Sequence, residues 1–197
     1  MTQDEVRREM TIAQQQGTLV EIYNLDDDDT FDVGFVIAMD QLCALLLVLD
    51  WDGKINCLLV TRLTSVRRIR RQTDYLTTVT VKAKVAQDNG YFDVWGLQKF
   101  LQQHDFTNKP LLKTFLQDSL DNHLPVVIGT NKYKLQDDFE GYLTKVDDLK
   151  ITMDYYNEHD LSSLWEYEEL LVNIDYLRVR GYQMATTAAI FKNVFHR

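Results

Sequence analysis

Proline, glycine and cysteine are all scarce in this sequence. Its 197 residues hold two prolines, eight glycines and two cysteines. So little Pro and Gly excludes collagen-like and linker-rich architectures. Cys43 and Cys57 both lie inside apolar runs, and their spacing makes neither a metal site nor a redox motif, so the expectation is buried thiols in a reducing cytosol. The longest apolar run, residues 42–49, has eight members. A membrane-spanning helix needs about 20, so no membrane association is expected. The opening Met1-Thr2-Gln3-Asp4-Glu5 is polar and acidic, unlike a secretory or mitochondrial leader, which points to the cytoplasm.

The motifs of common chemistries are missing too. His104, His123, His159 and His196 fall in no metal-ligand spacing. No Gly-rich phosphate loop, Gly-x-Ser-x-Gly elbow or His-Glu-x-x-His occurs. Asp26-Asp27-Asp28-Asp29 offers oxygens to a hard cation but lacks the alternation and glycine of a calcium loop, so it reads as an exposed acidic turn. No catalytic residue, metal or cofactor is expected. A hydrolase has only scattered carboxylates behind it.

What is present is ordinary globular material, 45% hydrophobic and 26% charged. The net charge is −9, which argues against general nucleic-acid binding. Residues 54–84 run against that average. They carry Lys54, Arg62, Arg67, Arg68, Arg70, Arg71, Lys82 and Lys84 against Asp74 alone, a local +7 that leaves −16 for the remainder. The segment reads either as a patch for an anionic partner or as a counterweight to the acidic runs at 26–29 and at Asp137, Asp138 and Glu140.

The chain also resembles itself. Phe31-Asp-Val-Gly34-Phe-Val-Ile-Ala-Met-Asp40 parallels Phe139-Glu-Gly141-Tyr-Leu-Thr-Lys-Val-Asp147, and Gly34, Asp40, Leu63 and Tyr75 meet Gly141, Asp147, Leu170 and Tyr182 at one offset of 107. Val66 and Ile69 match Ile174 and Leu177 with a one-residue slip. Each copy reads as five short strands. In the first they cover residues 18–23, 32–39, 42–49, 54–61 and 66–69, with a two-residue hairpin at Asp52-Gly53. In the second they cover 125–134, 139–146, 149–156, 167–172 and 176–180, with a long polar connection at 157–166. Five short strands with a glycine-bent second strand suggest a small closed barrel.

Helices flank the strands. Residues 3–16 have acids in the first turn and Gly17 as a stop. Asp93 would cap a helix burying Val94, Leu97, Phe100 and Leu101. Thr107 would cap another with Leu112, Phe115, Leu116 and Leu120 on one stripe. Residues 76–86 and 185–195 read as helices after each fifth strand.

A helix followed by five short strands with a Gly-bent second strand resembles the Sm-like (LSm) fold. That family's motif is Gly, an aliphatic at +2, Asp at +6, an apolar residue at +9, Asn at +10 and an aliphatic at +13. Here it stands as Gly34, Val36, Asp40, Cys43, Ala44 and Leu47, and again as Gly141, Leu143, Asp147, Lys150, Ile151 and Asp154. The family's RNA-holding Asn is replaced by Ala44 and Ile151. Its basic-Gly motif near the end of the fourth strand is missing from both copies. The resemblance therefore carries the fold further than the RNA activity.

The expected fold is mainly β with flanking helices (α+β): two five-stranded Sm-like/SH3-like barrels in tandem, 1–90 and 125–197, joined by a helical segment, 91–124. Gly34, Asp40, Gly141 and Asp147 are its motif residues. The leading expectation for function is a non-enzymatic binding or assembly protein. It would self-associate through barrel strand edges, either between its own barrels or head to tail into a ring, or would bind a protein partner. The alternative is RNA binding through Arg62, Arg67, Arg68, Arg70 and Arg71.

Overall fold

The computed structural model describes residues 1–24, 30–130 and 138–197. The acidic run at 26–29, and Asp137, lie outside the described residues. The chain divides into two compact units, residues 1–111 and 112–197.

In the first unit, helix α1 (Gln3–Gln16) opens with a capping box: the Thr2 hydroxyl accepts from the Glu5 amide, and the Glu5 carboxylate accepts from the Thr2 amide. Val6, Met10 and Ala13 recur at helical spacing and are fully buried. They seat α1 on three of the strands β1 (Leu19–Tyr23), β2 (Asp32–Met39), β3 (Cys43–Leu49), β4 (Ile55–Arg62) and β5 (Arg68–Arg70), namely β1, β2 and β5. These strands form an antiparallel sheet in the order β5-β1-β2-β3-β4. Every residue of β3 is buried, as its unbroken apolar run requires. Helix α2 (Asp74–Asp88) is capped by the Thr73 hydroxyl, and short α3 (Leu97–Gln102) comes next.

Helix α4 (Leu111–Asp121) leads into the second unit. Its strands are β6 (Pro125–Thr130), β7 (Asp138–Val146), β8 (Lys150–Asn157), β9 (Asp160–Leu170) and β10 (Ile174–Gly181), in the order β10-β6-β7-β8-β9. Helix α5 (Tyr182–Asn193) packs on β6, β10 and β7 through buried Met184, Thr187 and Phe191.

The two sheets share register down to their irregularities. Gly34 faces Val20 and Val48; Gly141 faces Val126 and Tyr155. Both second strands carry a register shift, between Val36 and Ala38 and between Leu143 and Lys145. A Cβ on Gly34 would lie 2.7 Å from the Leu47 carbonyl oxygen, and one on Gly141 would lie closer still to that of Asp154. Each glycine is thus where the second strand crosses the third at backbone distance.

Several expectations need correction. Among the described residues neither sheet closes by strand pairing: β4 does not pair with β5, nor β9 with β10. The polar stretch 157–166 is mostly strand, because β9 begins at Asp160 directly after a tight turn from Asn157. That hairpin is one residue longer than its counterpart, so the offset becomes 108 beyond it. Leu63 therefore corresponds to Leu171: their amides bond the equivalent carbonyls of Leu42 and Leu149. By the same slip Tyr182 opens α5 where Asp74 opens α2. Asp93 does accept from the amides of Leu97 and Gln98, but α3 starts after left-handed Gly96 and leaves Val94 exposed.

Candidate functional site

The β2–β3 and β7–β8 loops hold the motif aspartates. Asp40 Oδ1 accepts from the amides of Leu42 (2.7 Å) and Cys43 (2.6 Å), and its Oδ2 accepts from the amide of Leu111 (2.6 Å). Arg7 covers the same loop, donating to the carbonyls of Asp40 and Gln41 at 3.0 and 2.7 Å. Asp147 Oδ1 accepts from Leu149 (2.9 Å) and Lys150 (2.8 Å), the same pair of amides. Those two amides hold its carboxyl below the usual range. Both aspartates work as Asx-turn anchors, and Asp147 Oδ2 faces Lys145 at 3.4 Å.

The five arginines have different surroundings. Arg62 ends β4, and Arg67 lies exposed before β5. Arg68 stacks over Tyr23 with its guanidinium carbon 4.1 Å from the ring centre. Arg70 donates to the Tyr23 hydroxyl (3.4 Å) and lies 3.5 Å from Glu21; these two neighbours raise its pKa further. Arg71 pairs with Glu9 at 2.9 Å. Arg70 and Arg71 thus compensate Glu21 and Glu9, acids outside the two acidic runs.

Glu21 was not legible as a special residue. It sits in β1 among apolar neighbours, 1% exposed. Its carboxylate accepts from the hydroxyls of Tyr23 (3.0 Å) and Thr73 besides facing Arg70. The signal was available: an acid in the middle of Leu-Val-Glu-Ile-Tyr breaks a strand that is otherwise apolar. The second unit has a reciprocal arrangement. Glu21 opposes Val33, whereas in the equivalent pair Val127 opposes Glu140. Glu140 accepts from Tyr156 (2.7 Å), Thr187 (3.0 Å) and Gln183. Burial, then the Glu140 contact, pushes the Tyr156 hydroxyl well above its ordinary pKa. In each unit one carboxylate ties the sheet to the helix that succeeds the fifth strand. Glu21 also lines an open cavity of about 450 Å³ with Phe31, Arg70, Thr73 and Tyr75. Its oxygens are already committed to internal donors.

Two strand edges stand out. Among the described residues β5 pairs only with β1, and β9 only with β8. Within β5 and its flanks lie Arg67, Arg68, Arg70 and Arg71 and no acid. On β9 lie Asp160, Glu166, Glu168 and Glu169 and no base, with Leu161, Trp165 and Leu170 exposed. Met1 rests on the outer edge of β5: its sulfur accepts from the Ile69 amide at 3.3 Å and its amine donates to the Arg67 carbonyl at 3.1 Å.

Among the described residues no three or more His, Cys, Asp or Glu side chains converge as metal ligands, and no helix is long and apolar enough to cross a membrane. Neither cysteine forms a disulfide, and both are buried. Compared with protein-family models, curated proteins and solved structures, the chain matches none.

Proposed function

We propose that this chain is a non-enzymatic assembly protein built from two Sm-like five-stranded units in tandem, and that copies join head to tail through their strand edges. The shared register of the two units, with Gly34 and Gly141 at the crossing and Asp40 and Asp147 in the loop, supports the family reading. The observation that carries the function is the opposite charge of the two unpartnered edges. An open edge offers its free N–H and C=O groups to another strand. Arg67 to one side and Glu166 to the other set which strand is accepted and in which order, since like charges brought together would repel. Met1 must be displaced from β5 for this pairing. A sulfur acceptor and one exposed amine hold it weakly compared with a strand ladder.

Size-exclusion chromatography with light scattering tests this. The expected result is a mass that rises with concentration in multiples of 23.1 kDa and falls as salt is added. Arg67→Glu and Glu166→Lys should each lower the mass, and the two together should restore it. A strict monomer at all concentrations would overturn the proposal.

The rival reading, RNA held by Arg62, Arg67, Arg68, Arg70 and Arg71, predicts retention on single-stranded RNA that falls steeply with salt. The internal pairing of Arg70 and Arg71 and the loss of the family's Asn weigh against it.

A further inference from the structure

The cavity beside Glu21 is built by the connection between β5 and α2. Only Arg71, Gln72 and Thr73 join the two elements, and Gln72 takes a left-handed φ of +58° to make the turn. That tight turn brings Arg70, the last residue of β5, and Asp74, the first of α2, to one cavity of about 450 Å³. Small-molecule sites have volumes of roughly 300–1,000 Å³.

Glu21 fixes both sides of this cavity. It accepts from the Thr73 hydroxyl at the start of α2 and faces Arg70 at 3.5 Å at the end of β5. Buried and already bonded, it is a positioning residue that leaves ligand contacts to others. Arg70 reaches the Tyr23 hydroxyl (3.4 Å) and Glu21 (3.5 Å) through a single nitrogen, Nη1. Both contacts are longer than the roughly 2.7–2.9 Å of a charge-assisted hydrogen bond. Among the described residues its Nη2 and Nε have no partner, and its side chain is half exposed. Asp74 is the converse. It is exposed, and among the described residues its carboxylate has no donor. Arg70 and Asp74 line the same cavity without pairing with each other.

The charges and rings together select the occupant. One base stands against two acids, Glu21 and Asp74, so a bare anion would meet net repulsion. A bare cation would leave the open donors of Arg70 unmet. A zwitterion satisfies both groups. The remaining wall is aromatic: Phe31 and Tyr75 meet edge to face with ring centres 5.3 Å apart, and Tyr75 is 41% exposed. We infer that the cavity binds a free α-amino acid with an aromatic side chain. Its carboxylate bonds Arg70 through Nη2 and Nε, its ammonium meets Asp74, and its ring packs on Phe31 and Tyr75. This site is independent of strand pairing between copies.

Isothermal titration calorimetry with the full chain tests the inference, using three probes. L-Phenylalanine carries both charges, 3-phenylpropionate lacks the ammonium, and 2-phenylethylamine lacks the carboxylate. L-Phenylalanine should bind saturably, and each analogue about tenfold or more weakly, since a hydrogen bond to a charged group is lost. Arg70→Gln should weaken L-phenylalanine about tenfold without weakening 2-phenylethylamine. Asp74→Asn should weaken L-phenylalanine similarly without weakening 3-phenylpropionate. Asp74 is exposed and unpaired among the described residues, so its variant keeps the test open if Arg70→Gln fails to fold; circular dichroism checks both. Absence of saturable L-phenylalanine binding, equal affinity for all three probes, or indifference to Asp74→Asn would overturn the inference.

Discussion

Glu21 and Glu140 stand on opposite strands of the same cross-strand pair, one in each unit. Both tie the sheet to the helix after the fifth strand through a threonine hydroxyl, and each also accepts from a tyrosine hydroxyl of the sheet. They differ in company. Glu21 also faces Arg70, while Tyr156, Thr187 and Gln183, which donate to Glu140, are all neutral. The fourth strands differ more. In β4 six of eight residues are buried, whereas in β9 only Glu169 is. The backbone template thus persists in both units while the polar anchor has changed strands and one strand face has been given over to solvent. A strand pairing needs only main-chain groups, so it survives side-chain replacement. What each strand buries or presents is decided by side chains, and there the units have parted.

Four experiments bear on this contrast. The largest effect is expected from Gly34→Val and Gly141→Val, which force a side chain into the third strand's main chain. Each should cost about 4 kcal/mol or more, with Gly141→Val the worse because its crossing is closer. Urea unfolding followed by circular dichroism measures this, and an innocuous Gly141→Val would break the equivalence of the two crossings. Next come the carboxylates. Glu21→Ala leaves a cation and two hydroxyls without their acceptor and should cost about 3 kcal/mol. Glu140→Ala leaves only neutral donors and should cost about 2 kcal/mol. Equal losses in urea midpoint would remove the distinction drawn from Arg70.

The loops give a smaller difference. Asp40→Ala loses three amide bonds, including one to the start of α4, and should cost about 2 kcal/mol; Asp147→Asn should cost less. Asp147 also carries a pH signature. Its folded pKa is lowered, so its contribution is complete above the unfolded value of about 3.9 and is lost as pH falls through the folded value. The stability gap between wild type and Asp147→Asn should therefore be widest near neutral pH and close below about pH 4, as read from urea midpoints across that range. Smallest of all, Lys150→Met removes the exposed pair with Glu168 at 2.8 Å and should leave the midpoint unchanged within error, because solvent screens it.

Much of the backbone plan was legible. The range of β2 was read to the residue, because Val, Ile and Phe run between Asp32 and the Asp40 turn. The repeat was legible because its anchors, Gly and Asp, answer backbone demands that tolerate few substitutes. β9 was missed in part because Leu-Ser-Ser-Leu-Trp-Glu-Tyr-Glu-Glu mixes polar residues onto a strand that buries little, so alternation gave no warning. Of the candidate site, the basic segment was visible as a count of charges. The pairing of Arg68, Arg70 and Arg71 with Tyr23, Glu21 and Glu9 was not, since those partners come from β1 and α1 and only folding brings them near. The carboxylate exchange between Val33 and Glu140 was hidden for a related reason: it shows only once cross-strand neighbours are known.

The shift between Val36 and Ala38, repeated between Leu143 and Lys145, has a bearing on which length changes the chain can absorb. One surplus residue there reverses the inside–outside alternation of the residues beyond it. Losing it would straighten the ribbon but rotate the next aspartate to the opposite side, unlatching the loop it fastens. Deletions in surface loops such as 157–160 carry no such consequence, so natural length variants of this chain should collect in hairpins and spare those two kinks.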